Sequence, residues 1–211
     1  MSSSDNSARP VREEDAFDVD ALTAWLAERG EGPVTEVQQF RGGASNLTYL
    51  VSTGSTDGAG ERDLSLRRPP AGKKAAGAHD MGREHGIQAA LAPVFPYVAT
   101  MIGHEPDESV LGSEFYVMEM VEGRIFWDPA LPELSKSDRA AVYDQMNAVL
   151  AALHAVDPDT VGLTDFGKPG NYYERQLARW SKQYKTAETE PLNDADWLIG
   201  WLNDHLLADD G

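Results

Sequence analysis

The texture of the chain changes once, near Gly123, and that change constrains the fold more than any other feature. Before it, apolar residues come in runs of strand length separated by Gly and Pro. Val34, Val37 and Phe40 form one run, Leu47-Thr48-Tyr49-Leu50-Val51 a second, and Leu64, Leu66 and Arg67-Arg68 a third. Tyr97 to Ile102 and Glu114 to Val121 supply two more, and Phe115-Tyr116-Val117-Met118 has the continuous apolar character of a buried strand. Beyond Pro129 and Pro132 the period becomes helical. Val142, Met146, Val149, Leu150 and Leu153 fall on one helix face. Tyr172 to Gln183 and Asp194 to Leu207 continue the pattern, with Leu177, Trp180, Trp197 and Trp201 expected in a core. The expected class is α+β: a five-stranded antiparallel sheet with one packed helix over residues 34–122, then helices. Residues 1–15 read as a flexible lead-in, 16–123 as a first lobe and 124–211 as a helical second part.

Capping signals mark the helices. Asp18 or Asp20 starts a helix carrying Leu22, Trp25 and Leu26, stopped by Gly30. Asp80 starts another that runs through Leu91, with Met81, Ile87 and Leu91 as its buried positions. Ser137, followed by Asp138, is the expected cap of the helix holding Val142 to Leu153. Gly54, Asp57-Gly58 and Gly60 mark a long hairpin loop, and Ala71 to His79 a small, basic one.

Charge excludes several classes of function. Asp and Glu number 35 against 18 Lys and Arg, so the net charge is −17 over 211 residues. Such a chain repels phosphate backbones and anionic membranes, and neither nucleic acid nor membrane is expected as a partner. No apolar run reaches the length of a membrane span, and the polar start Met1-Ser2-Ser3-Ser4-Asp5-Asn6 does not resemble a signal peptide. A cytoplasmic location is expected, and the acidic, lysine-poor composition also suits a salt-rich cytoplasm. The absence of cysteine removes disulfides, zinc–thiolate sites and thiol nucleophiles together.

The segment Phe40-Arg41-Gly42-Gly43-Ala44-Ser45-Asn46 carries the most chemical information. Glycines between two strands let the backbone approach a ligand and turn N–H groups toward phosphate oxygens, although Gly-Gly alone also suits a plain hairpin turn. Ser45 and Asn46 add side-chain hydrogen bonds. A cation follows on the third strand at Arg67 and a carboxylate on the next helix at Glu84. An ion pair between those two elements is how protein-kinase-like folds hold a cation against nucleotide phosphates.

That order of motifs resembles the aminoglycoside-phosphotransferase-like family, and within it the branch also found as a domain of some acyl-CoA dehydrogenase family members. The resemblance rests on Gly42-Gly43-Ala44-Ser45-Asn46-Leu47-Thr48-Tyr49, Leu66-Arg67-Arg68-Pro69-Pro70-Ala71-Gly72, Ala78-His79-Asp80 and Arg83-Glu84. It continues through Phe115 to Arg124, Leu153-His154-Ala155-Val156-Asp157, Gly162-Leu163 and Tyr173 to Trp180, and covers about residues 20–205. It implies a protein-kinase-like small lobe followed by the first helices of a large lobe. It also implies an ATP-dependent phosphotransferase with an alcohol group of an unidentified small molecule as acceptor. Gly42, Gly43, Ser45, Asn46, Arg67 and Glu84 would bind ATP, with Glu119, Met120 and Val121 as the hinge that meets adenine. Arg67 stands where most kinases carry lysine, as is usual in this branch.

The family's catalytic loop, His-Gly-Asp followed by Asn, and its later metal-binding Asp do not occur through Gly211. The chain therefore reads as the N-terminal portion of a longer kinase, with no catalytic residue of its own, magnesium ligands beyond Gly211 and no activity alone. The alternative is a non-catalytic nucleotide-binding or structural module. Self-association through an uncovered helical face is expected. Asp165-Phe166-Gly167 mimics a kinase metal-binding signature, but only eight residues separate it from Asp157, too few for the strand pair that normally intervenes. His154 reads as a helix-end residue, and Asn46-Leu47-Thr48 as a chance glycosylation match.

Overall fold

The computed structural model describes residues 8–40, 46–56, 60–70, 80–168 and 170–207. Among the described residues, six strands and five α-helices follow in order: β1 (Arg9–Pro10), α1 (Val19–Ala27), β2 (Val34–Gln39), β3 (Leu47–Thr53), β4 (Arg62–Arg68), α2 (Met81–Leu91), β5 (Met101–Glu105), β6 (Phe115–Glu119), α3 (Lys136–His154), α4 (Tyr172–Ala187) and α5 (Asn193–Asp204), the two-residue β1 being the shortest. The strands form one antiparallel sheet in the order β1-β2-β3-β4-β6-β5. The α+β class is as expected. The chain divides into two compact units, one through Val161 and the other from Gly162 onward.

The sheet has six strands rather than five, because the lead-in is partly built into it. Arg9 and Pro10 pair with Gln39 and Gln38. Asp15 is buried, where its carboxylate accepts from Gln39 Nε2 (2.9 Å) and meets Arg12 Nη2 at 2.6 Å. A polar dipeptide has no hydrophobic period, so only its backbone pairing reveals it as a strand.

Period-two alternation sends side chains to opposite faces. Leu47, Tyr49 and Val51 of β3, Leu64 and Leu66 of β4, and Phe115 and Val117 of β6 enter the main core. Leu22, Trp25 and Leu26 of α1 cover them, and the Trp25 ring lies edge-on to Phe115 at 4.9 Å. Asp18 fixes the start of α1 by accepting from the N–H groups of Asp20 and Ala21. The principal core helix is therefore α1, not the helix after the third strand. Arg68 also lies on this face, buried, donating to the carbonyls of Leu111 (2.9 Å) and Asp15 (3.3 Å).

The helix α2 takes the other face, against β5 and β6. Glycine permits the close approach of a helix on each side of β5. A Cβ at Gly82 of α2 would lie 3.1 Å from the His104 ring, and one at Gly103 would lie 2.8 Å from Arg29 Nε beyond α1. Asp80 caps α2 as expected, accepting from Arg83 N–H at 2.7 Å. Met81 and Leu91 are buried, whereas Ile87 is only partly so.

In α3 the cap is Ser135 rather than Ser137: the Ser135 hydroxyl accepts from Asp138 N–H at 3.1 Å, the N-cap to N3 spacing. The apolar face of α3 is exposed, Met146 by 58% and Leu150 by 50%. In the second unit, α4 and α5 pack together, and Lys185 bridges to Glu188 (3.1 Å) and Asp196. Trp180, Trp197 and Trp201 were expected in a core, but all three are exposed, because two helices bury only their shared seam.

Candidate functional site

On the α2 side, the sheet presents two rows of side chains. Register places Thr48, Arg67, Tyr116 and His104 abreast across β3, β4, β6 and β5. Two residues along, Leu50, Ser65, Met118 and Met101 form the next row. The first row is polar and carries one cation; the second is largely apolar. Charge recognition and apolar contact are thus set side by side on a rigid floor.

Glu84, in the first turn of α2, is where the site converges. Arg67 Nη2 lies 3.3 Å from Glu84 Oε2, and the Tyr116 hydroxyl donates to the same oxygen at 3.1 Å. Asn46 Nδ2 donates to Oε1 at 2.7 Å. One helical turn on, Gln88 Nε2 donates to the Glu84 carbonyl (3.1 Å) and to the Tyr116 hydroxyl (3.4 Å). The ion pair is partly exposed, with side chains 32% and 35% exposed, whereas Tyr116 is 1% and Asn46 6% exposed beside it. Burial pushes the Tyr116 phenol above its ordinary value, and the Arg67 charge only partly offsets this, so the hydroxyl stays a proton donor at neutral pH. Arg67 Nε is buried with no hydrogen-bond partner among the described residues.

Next to Glu84, the His85 ring stacks on His104 with centroids 5.6 Å apart, and it lies 6.2 Å from the Tyr116 ring. His104 Nε2 is 3.7 Å from Glu114. Burial, and secondarily the His104 charge, hold His85 below the usual histidine range.

Asn46, Arg67 and Glu84 therefore come together as a unit. Gly42, Gly43 and Ser45 lie outside the described residues. The segment after β6 runs along the second row: Glu119 N–H donates to Thr100 O (2.8 Å), Met120 N–H donates to Asp63 O (3.3 Å), and Ser65 Oγ meets Met120 Sδ at 3.2 Å. Those two amides are committed to the sheet, and Val121 beyond them is 64% exposed. Sequence reasoning missed Tyr116 and Gln88. Tyr116 reads as a core residue until register sets it opposite Arg67, and only the i, i+4 spacing from Glu84 hinted at Gln88. Asp165 is exposed in the loop before α4, and among the described residues no group of three or more His, Asp or Glu side chains could hold a metal ion.

Three similarities bear on this arrangement. A crystal structure of a proposed aminoglycoside phosphotransferase from Ralstonia eutropha superposes with a TM-score of 0.75 at 41% identity, over 92% of this chain and 55% of that one. Acyl-CoA dehydrogenase family member 10 of Mus musculus is 40% identical over 202 residues, 94% of this chain and 18% of its own length. Acyl-CoA dehydrogenase family member 11 of Homo sapiens is 34% identical over 200 residues, 92% of this chain and 25% of its own length. The chain thus spans about half of the solved relative and a quarter or less of these two longer ones. Residues 36–211 match the model of the phosphotransferase enzyme family. That match runs from within β2 through the rest of the sheet, together with the Arg67–Glu84 pair and all the helices after it, and the chain belongs to the phosphotransferase enzyme family.

Proposed function

We propose that this chain is the nucleotide-binding part of an ATP-dependent phosphotransferase whose acceptor is an alcohol group. The observation that carries the reading is Arg67, paired with Glu84 and with its buried Nε unpartnered among the described residues. A buried N–H without a partner is costly, and a phosphate oxygen would satisfy it. The apolar row of Leu50, Met118 and Met101 then suits the base, and the exposed Val121 backbone suits its hydrogen-bonding edge. ATP fits these residues.

Among the described residues no group of three or more carboxylate or histidine side chains gathers, so no magnesium ligand is assigned to them. Phosphoryl transfer depends on such ions to neutralise the transferring group, so no transfer step is assigned to this chain. Its part in the reaction is to bind and orient the nucleotide, and its own turnover is expected to be negligible.

For the acceptor, the family's relatives are suggestive. Segments like this one occur within longer proteins named acyl-CoA dehydrogenase family members. A shared polypeptide favours a shared substrate class, so the acceptor proposed is a hydroxylated acyl group rather than an aminoglycoside.

Calorimetric titration with ATP and with adenosine tests the binding reading. Tighter binding of ATP, lost in Arg67→Ala, supports it; equal affinity for the two ligands refutes it. An ADP-release assay with a hydroxyacyl-CoA and with an aminoglycoside tests the rest. Release by residues 1–211 alone, abolished by Asp165→Asn, would show that the chain carries a complete active site.

A further inference from the structure

The Glu84 carboxylate is held by donors from three different elements, more than an ion pair requires. Arg67 comes from β4, Tyr116 from β6 and Asn46 from the residue that leads into β3. Oε1 is taken by Asn46, while Oε2 is shared between Tyr116 and Arg67, so a rotation of the carboxylate about its last bond would break contacts on both sides. The two neutral donors are buried, whereas the two charged partners are about one-third exposed. Tyr116 is in turn fixed by Gln88, and it lies directly across the β4–β6 ladder from Arg67.

We infer that Asn46 and Tyr116 are positioning residues that hold Glu84, and through it Arg67, in a phosphate-facing posture before any nucleotide arrives. The inference rests on the nucleotide reading above and deepens it. A long cation in contact with solvent has many rotamers, and ordering it only on binding would cost affinity. An ion pair one-third exposed cannot by itself impose that order, since solvent competes for both partners. Two uncharged donors, shielded from water and anchored one in β6 and one at the entry to β3, can. They also join three parts of the lobe mechanically: the entry to β3, which follows the Gly42-Gly43 segment in sequence, the sheet at β6, and helix α2. Displacement of any one is then felt at Arg67. Because neither donor carries charge, the hold does not weaken with salt as the ion pair does.

The test compares Tyr116→Phe, which removes one hydroxyl, with Asn46→Ala, which lies outside the main core cluster. Each is titrated with ATP and with adenosine, which lacks the phosphates that Arg67 would meet. The expected result is a loss of about tenfold in ATP affinity in each variant, the scale of one hydrogen bond to a charged group, with adenosine affinity unchanged. An equal fall for both ligands, or loss of the fold in both variants, assigns the two residues a merely structural role and overturns the inference. Wild-type preference for ATP that persists undiminished in both variants overturns it while leaving the nucleotide reading intact. Wild-type protein that binds ATP no more tightly than adenosine overturns both.

Discussion

Arg67 and Arg68 are chemically identical neighbours with opposite surroundings, and the difference predicts how each should respond to mutation. Arg67 is partly exposed beside a carboxylate that retains two other donors. Its replacement by alanine should change stability by less than about 1 kcal/mol in urea denaturation, because ion pairs in contact with solvent contribute little. Arg68 is buried and satisfies two carbonyls, so Arg68→Ala should cost about 2–4 kcal/mol in the same measurement. His85 gives a pH signature. Its folded pKa lies below the ordinary 6.5, mainly through burial and then through the His104 charge. Between the two values the unfolded chain binds more protons, so stability is full above pH 6.5 and falls as pH drops through the folded value. The groups facing His85 are His104 and Tyr116 of the sheet, with Glu84 adjacent on its own helix and Glu114 behind His104. Thermal denaturation from pH 8 to pH 5 should show this loss, and His85→Gln should flatten it. Little of this was legible beforehand: the sequence shows two arginines and two histidines, and only register decides what each one faces.

Among the elements, those with a strong local signal were readable and those held by tertiary contact were not. The helix α2 begins at Met81 and ends at Leu91 because Asp80 supplies a cap and Pro93 follows closely; both are local chemistry. The run Phe115 to Met118 likewise declared itself by hydrophobicity. The strand β1 is a polar dipeptide defined by its partner alone, and the covering role of α1 depends on which sheet face its Leu22, Trp25 and Leu26 meet. The three donors on Glu84 are separated by tens of residues, and neither Asn46 nor Tyr116 announces that role in a linear reading. At the start of α3, two serines compete as the cap, and the structure selects Ser135. Ser135→Ala should destabilise that first turn by about 1 kcal/mol, and Ser137→Ala by much less. Faster amide exchange at residues 137–139 in the first variant, and not the second, is the expected observation.

For the whole molecule, the balance between repulsion and apolar exposure sets solution behaviour. A net charge of −17 keeps copies apart at low ionic strength. Against this, the face of α3 lines an apolar groove of about 770 Å³ with Phe95, Val142, Met146, Leu150 and Leu153, and the second unit exposes three tryptophans. Self-association should therefore strengthen with salt, which screens the charge without weakening apolar contact. Sedimentation at 0.05 M and 1 M sodium chloride should show the shift toward larger species, and Leu150→Glu should reduce it while leaving the thermal transition of the sheet in place.

The opposed neighbours in β4 also bear on how such a sequence can vary over time. Arg67 faces the α2 side of the sheet and Arg68 the main core only because side chains alternate, so one residue gained or lost within the strand would exchange their surroundings along with those of every residue paired beyond it. A length change of one between Arg62 and Arg68 would turn Leu66 away from the main core and Arg67 toward it. Homologues should accordingly gain and lose residues in the turn between β3 and β4, where both ladders have ended, and conserve the count within the strands themselves. An aligned set of such sequences, scored only for where gaps fall, would reveal the architecture of the site without reference to which amino acids occupy it.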